Sequence, residues 1–342
     1  MVSFCQETDR EETHMTMKEL AELAGVSSSA VSRYLNGGSL SQEKRDRIHA
    51  AIEQTGYQPD PAAQMLRTGT TKHVALIIPK LDSESVSRVA RGISNTLLEK
   101  GYLALLADTN NDPEKEVAYL KLFQNRQVAG IILLATVLTP QHEELLKTSS
   151  VPIVVIGQQF RQVPCVYHDD FGAAYELTKL HISRGRKKLA LIGIPESDVA
   201  VGKNRRRGVE AAMREFGLDS DALVVEHGDF SLESGRSAMK RILQAESGID
   251  SVICATDRMA FGALEVLKES NIQVPNEISI SGFDDNWACS HISPRLTSVR
   301  FYYAESGVTG AELLLDMIES QKKTEPVKQT MLGFSVQERD TV

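Results

Sequence analysis

Over residues 15 to 58 the apolar positions recur at helical spacing, and from residue 73 onward they gather in short continuous blocks separated by amphipathic stretches. In the first region Leu20 and Leu23 share one side of a helix expected from about Met17 to Ala24; Gly25 supplies a permissive turn residue and Val26 packs below it. Ser27 caps a second helix whose polar first turn is Ser28, Ser29 and Ala30 and whose buried face is Val31, Tyr34 and Leu35. A third helix is predicted from about Gln42 to Thr55, opened by Ser39 or Ser41, striped by Ile48, Ala51 and Ile52, and ended by Gly56, with Tyr57 closing a small core.

The later blocks, "HVALIIP", "YLALLADT", "VAGIILLA" and "VPIVVIG", alternate with helical patterns. Continuous apolar strands of this kind mark a parallel sheet covered on both faces. The rhythm restarts between Asp169 and Ala173 and runs through "KLALIGI", "LVVEHGD", "DSVICATD" and "ISISGFDD", so the fold class is α/β, with two lobes in tandem. One more helix, Glu305 to Ser320, and a single terminal strand near Lys328 to Gln337 predict a chain that crosses between the lobes more than once.

Composition adds little to this picture and charge complicates it. The 342 residues are 42 % hydrophobic and 25 % charged, which is ordinary globular usage. Cys5, Cys165, Cys254 and Cys289 are too scattered for a metal knuckle or a disulfide framework. The start, "MVSFCQETDREETH", is acidic and lacks the basic and apolar regions of an export signal, and no apolar run is long enough to span a membrane, so a cytoplasmic protein is expected. The first three helices read as a helix-turn-helix whose second helix enters a major groove, with short Ser28 and Ser29 allowing close approach and Arg33 reaching a base or phosphate. Yet net charge is -8, and residues 15 to 72 carry only 7 basic against 6 acidic side chains. DNA binding must then rest on local placement of cations, helix N-termini and doubling in a dimer.

The run "ELAELAGVSSSAVSRYLNG" resembles the DNA-binding headpiece of the lactose and galactose repressor family. The resemblance implies that Ser28, Ser29 and Arg33 read bases and that Asn36 sits at the helix end; Ala30 stands where the family usually has Thr, which removes a hydroxyl from the expected DNA contacts. In "QPDPAAQMLRTGTTK" the resemblance implies a hinge helix that folds on the operator and wedges Leu66 into the minor groove. "HDDFGAAY", "ATDRMAFGAL" and "PRLTSV" resemble the family's effector domain, whose fold is shared with periplasmic sugar-binding proteins. The family's tetramer-forming leucine repeat is absent before the final "GFSVQERDTV", which implies a homodimer. The division expected is a disordered acidic tail over 1–14, the headpiece over 15–58, hinge helix and linker over 59–71, and the effector-binding and dimerisation domain over 72–342. Within that domain, lobe one covers about 73–168 and 301–327, and lobe two about 169–300 and 328–342.

Ligands of such two-lobed folds bind beyond the carboxyl ends of the strands. That places Lys80, Asp82, Gln158, Lys203, Arg205, Thr256, Asp284 and Phe301 as effector-binding candidates: Asp284 for sugar hydroxyls or as a helix cap, and Phe283, Trp287 or Phe301 as cover for an apolar sugar face. By resemblance Arg205 matches an effector-contacting arginine and Gly157 occupies the place of an effector-binding aspartate. "VGKNRRRG" sets four cations at a helix start, where the helix dipole disfavours them, and an anionic ligand would resolve this. The segments "IIPKLDS" and "PESDVAVGKNRRRG" are similar to those of trehalose and sucrose operon repressors, which implies trehalose 6-phosphate or sucrose 6-phosphate as the effector that releases operator DNA. A neutral sugar or a corepressor is the alternative within the same fold; a sugar-binding protein without gene regulation and a phosphosugar enzyme are weaker ones. The chain carries no Gly-rich phosphate loop, metal-binding histidine pair or nucleophile elbow, Asp169 and Asp170 are poorly placed as a dyad, and His168 reads as serving structure or domain coupling. No enzyme activity, catalytic residue, metal or cofactor is expected.

Overall fold

The computed structural model describes residues 15–35, 37–57, 71–125, 128–245, 248–320 and 327–342. The expectations for the tail over 1–14, for Asn36, and for the hinge with Leu66 therefore lie outside the described residues, apart from residue 71. The chain divides into two compact units, Met1–Thr70 and Thr71–Val342.

In the first unit α1 is Met17–Leu23, α2 is Ser28–Leu35 and α3 is Gln42–Thr55. Thr16 and Glu19 form a reciprocal capping box at the start of α1, Ser27 Oγ accepts the Ala30 N–H at 3.3 Å at the start of α2, and Gly56 ends α3 in the left-handed region at φ 63°. Leu20, Ala21, Ala24, Ala30, Val31, Ile48, Ala51 and Tyr57 form one small core. Two sequence expectations are corrected by it. Leu23 is 49 % exposed, its place on the inner face being taken by Ala24, and Ala30 is 2 % exposed, so its side chain belongs to the core and not to a polar first turn.

The second unit holds two six-stranded sheets. The first is built from β1 His73–Ile78, β2 Leu103–Asp108, β3 Gly130–Leu134, β4 Ile153–Ile156, β5 Cys165–His168 and β11 Gln329–Leu332, in the order β11-β5-β4-β3-β1-β2. The second uses β6 Leu189–Gly193, β7 Val224–His227, β8 Ser251–Cys254, β9 Ser279–Phe283, β10 Thr297–Phe301 and β12 Phe334–Gln337, in the order β12-β10-β9-β8-β6-β7. The described pairings are parallel except β10 with β12.

Alternation along each strand divides the core between the two faces of its sheet. On the first sheet Val74, Leu76 and Ile78 pack with Ile93 and Leu97 of α4 (Glu84–Glu99) and with Leu314 of α11 (Tyr303–Ser320). Ala75 and Ile77 turn the other way, toward Leu120 of α5 (Pro113–Gln124) and Leu146 of α6 (Pro140–Thr148). On the second sheet α7 (Asp170–Ser183) and α8 (Arg205–Glu215) cover one face, and α9 (Leu232–Ala245) and α10 (Asp257–Glu269) the other.

The chain passes between the lobes three times, from β5 into α7, from β10 into α11, and from β11 into β12. The single terminal strand expected over 328–337 is therefore two strands: Gly333 separates β11, which pairs with β5 in the first sheet, from β12, which pairs with β10 in the second. β2 also departs from expectation. It is the edge strand of its sheet, and Leu103, Leu105 and Leu106 are exposed although their apolar run reads as buried.

Candidate functional site

On the headpiece Ser28, Ser29 and Arg33 are all exposed on α2, with Arg33 Nε donating to the Ser29 carbonyl at 3.4 Å. Turning Ala30 and Val31 inward is what brings these three residues to the opposite face of the helix. Ala30 itself is buried, its methyl packed in the headpiece core.

In the second unit a cleft of about 730 Å³ opens between the lobes and is lined from both. At its floor lies Arg205, 4 % exposed, with Nε donating to Asp170 Oδ1 at 2.7 Å and Nη1 to the Ala255 carbonyl at 2.5 Å. Its guanidinium lies over the rings of Phe283 at 4.4 Å and Phe301 at 5.1 Å. Burial works against the charge, but Asp170, Tyr303 and Asp284 together outweigh it and raise the pKa above the ordinary arginine value. Phe301 thus backs Arg205 from within the core and is outside the cleft lining, so it is not the sugar cover expected of it. Trp287, 66 % exposed, is the aromatic ring at the mouth.

Asp284 is half-buried and accepts the Tyr303 hydroxyl across the cleft. Burial pushes its carboxyl up to about 6, against the pull of Arg205, Tyr303 and Arg88. It caps no helix: Thr256 caps α10 by accepting the Met259 N–H at 3.3 Å, and Asn286 caps the short turn after β9. Gln158, from the end of β4, donates to Asp198 Oδ1 at 2.8 Å and accepts the Ala200 N–H at 3.2 Å, bridging the lobes. Burial raises the Asp198 carboxyl above its usual range, while Val201 N–H, Gln158 and Arg205 oppose the shift. Gly157 just before has φ +94° and its Cβ position lies 3.1 Å from the Ala135 carbonyl, so an aspartate there would be strained.

The cations of "VGKNRRRG" do not converge on the cleft. Helical backbone begins earlier, at Val199, with Asp198 as its cap, so these residues lie beyond the first turn and the supposed conflict with the helix dipole is removed. Lys203 and Arg207 are exposed and outside the lining, Arg206 pairs with Glu196 and Glu210, and Arg205 alone reaches the floor. At the mouth Lys80 Nζ stands 3.6 Å from Asp82 Oδ1, and Arg258 of the other lobe holds Asp82 Oδ2 at 3.1 Å. Arg88 of α4 donates to the carbonyls of Asp284 and Asp285 at 3.2 and 3.1 Å. Sequence reasoning did not select Asp170, Arg88, Arg258 or Tyr303. Asp170 is the first and Arg258 the second residue of a helix that follows a strand end, a position that could have marked them; Arg88 and Tyr303 carried no such mark.

Residues 71–331 match the family described as periplasmic binding proteins and sugar binding domain of LacI family, and residues 16–60 match bacterial regulatory proteins, lacI family. The chain belongs to the LacI family. It is a DNA-binding transcriptional repressor of that family, with a two-lobed domain for a small-molecule sugar effector. Its relatives include the repressor CytR of Escherichia coli K12, 30 % identical over 91 % of this chain and 92 % of that protein. The sucrose operon repressor of Staphylococcus xylosus is 29 % identical over 89 % of this chain and 93 % of its own. Among solved structures, a complex of the regulator CelR with cellobiose superposes with a TM-score of 0.74 at 29 % identity, covering 96 % of this chain and all of that one. Among the described residues of this LacI-family chain no helix is long and apolar enough to cross a membrane.

Proposed function

We propose that this LacI-family repressor governs a sugar-utilisation operon and leaves its operator when a disaccharide carried as its 6-phosphate, from sucrose or trehalose, occupies the cleft. The observation that carries this reading is the separation of chemistry along the cleft. The floor holds Asp284, Asp198 and Gln158, which suit hydroxyls, whereas at the mouth two cations from opposite lobes, Lys80 and Arg258, share the single carboxylate of Asp82. A phosphate seated there would take over from Asp82 and hold both lobes. Arg205 is the wrong candidate for that role because Asp170 already neutralises it. One relative is named for the sucrose operon and another is solved as a complex with cellobiose, which supports a two-ring ligand.

A neutral disaccharide is the second reading. It is favoured by the lining as a whole, in which six carboxylates outnumber four cations among the described residues. Calorimetry with sucrose, trehalose and their 6-phosphates on wild type, Lys80→Ala and Arg258→Ala separates the two. Phosphate reading requires that the phosphorylated sugar bind at least about tenfold tighter than the free one, and that either substitution remove most of that margin. Equal binding of the free and phosphorylated forms gives the site to a neutral sugar.

Release would follow from linkage. A ligand that favours one setting of the lobes must weaken whatever the other setting binds, here operator DNA held by two headpieces of a dimer. The segment over 59–71, with Leu66 as a minor-groove wedge, is proposed to carry that change, and fluorescence anisotropy of operator binding with and without each ligand gives its sign.

A further inference from the structure

His168 closes β5 and borders the cleft, 8 % exposed, with its ring 4.9 Å from that of Phe301 and 5.2 Å from that of Tyr303. Its Nε2 has no hydrogen-bond partner among the described residues and is shielded from solvent as well. The other ring nitrogen is engaged, since the backbone of Tyr302 hydrogen-bonds the imidazole in the sense that stabilises a ring N–H. Burial pushes the pKa of His168 down, so the ring is neutral at ordinary pH, and a neutral imidazole that donates from Nδ1 presents a lone pair at Nε2. A buried acceptor without a donor is costly, and native structures rarely leave one.

Among the described residues no neighbouring group donates to it. Asp170 and Asp284 are acceptors when ionised, Arg205 directs Nε and Nη1 to Asp170 and Ala255, and the Tyr303 hydroxyl is given to Asp284. His168 Nε2 is covered in this setting of the lobes, and we propose that it is uncovered when the sugar enters the cleft and there accepts a hydrogen bond from one sugar hydroxyl. The inference rests on the sugar reading of this site and adds a specificity-determining residue that neither phosphate nor carboxylate chemistry would reveal. Its position gives the contact a second consequence. His168 stands at the first crossing between the lobes and is bonded to Tyr302 at the second, so a hydroxyl held there touches both connections at once.

The test is calorimetry with sucrose, trehalose, their 6-phosphates and cellobiose, followed by monodeoxy analogues of whichever sugar binds the wild type. His168→Phe should bind that sugar about fivefold to tenfold more weakly. One monodeoxy analogue should suffer a similar loss on wild type yet bind His168→Phe no worse than the parent sugar does, because the hydroxyl and its acceptor are removed as a pair. His168→Gln, whose amide oxygen is also an acceptor, should recover part of the affinity, and it carries the same comparison if His168→Phe does not fold. Wild-type affinity in His168→Phe, or deoxy losses that are the same in wild type and both variants, would overturn the assignment. If none of these sugars binds the wild type, the sugar reading of the cleft falls and His168's role falls with it.

Discussion

Gln158 and Asp198 join the two lobes directly, the side-chain amide of one meeting the buried carboxylate of the other at 2.8 Å. Gln158→Ala leaves Asp198 with one donor fewer in a place that solvent scarcely reaches. We expect a loss of about 1–3 kcal/mol from the ligand-free second unit, seen as a lower urea midpoint, with the headpiece unaffected. An unchanged midpoint would mean that the bridge is replaced by water at no cost.

Arg205 should prove a structural cation first and a ligand contact second. Arg205→Ala strands Asp170, itself 4 % exposed, and removes the plane that lies over Phe283 and Phe301. The expected penalty is about 3–5 kcal/mol in chemical denaturation, and Arg205→Lys should recover little of it because an ammonium cannot reproduce the forked and stacked geometry. A fully stable Arg205→Ala that merely binds phosphosugar poorly would return Arg205 to the role first expected from the sequence.

The pH dependence of stability carries a signature of Asp284. Its carboxyl rises from an ordinary 3.8 to about 6 in the folded protein, so between those values the fold holds a proton that the unfolded chain has released. Lowering pH through that window therefore favours folding, and the cost of the charge is complete above about 6. Relative to Asp284→Asn, the wild type should lose stability as pH climbs from about 4 to about 6.5 and then run parallel to it. Parallel curves throughout, measured by urea titration at each pH, would refute the shift.

Much of the fold was legible in the chain, because local signals and the final structure agree there: Gly56 ends α3 after Thr55 in the left-handed region its turn chemistry predicts, and Ser41 holds the N-cap position, though its hydroxyl makes no capping bond. What misled were features decided at a distance. Whether Leu103, Leu105 and Leu106 are covered depends on β2 lying at the edge of its sheet, which an apolar run does not encode. Gly333 reads as one residue of a strand, and only the pairing of β11 with β5 reveals that the chain changes sheets there. Arg205 was found by its position, but its partner lies 35 residues away, so its charge looked available when it is not.

At the headpiece, Arg33→Ala should abolish preference for operator over scrambled duplex while leaving sugar binding intact, since the residue is exposed and, among the described residues, its side chain makes one long hydrogen bond, to the Ser29 carbonyl. A bidentate base contact gives on the order of 1–3 kcal/mol of discrimination. Fluorescence anisotropy with both duplexes measures it, and retained preference would remove Arg33 from base reading.

The exposed leucines of β2 predict the oligomeric state. An edge strand with Leu103 55 % and Leu106 47 % exposed presents an apolar surface suited to a second copy. Leu103→Lys combined with Leu106→Lys should convert a dimer to a folded monomer in sedimentation velocity and weaken operator binding by far more than either headpiece contact alone. A variant that stays dimeric places the interface elsewhere.

Three passages between the lobes mean that neither lobe is a continuous stretch of the gene product. The first sheet is completed only by β11 at Gln329–Leu332, and the second only by β12 after it, whereas α1 to α3 need nothing beyond residue 57 among the described residues. On a translating ribosome the DNA-reading helices can therefore fold early, while the sensing half waits until β11 and β12 have emerged. A truncated message would yield a headpiece with no means of detecting its sugar.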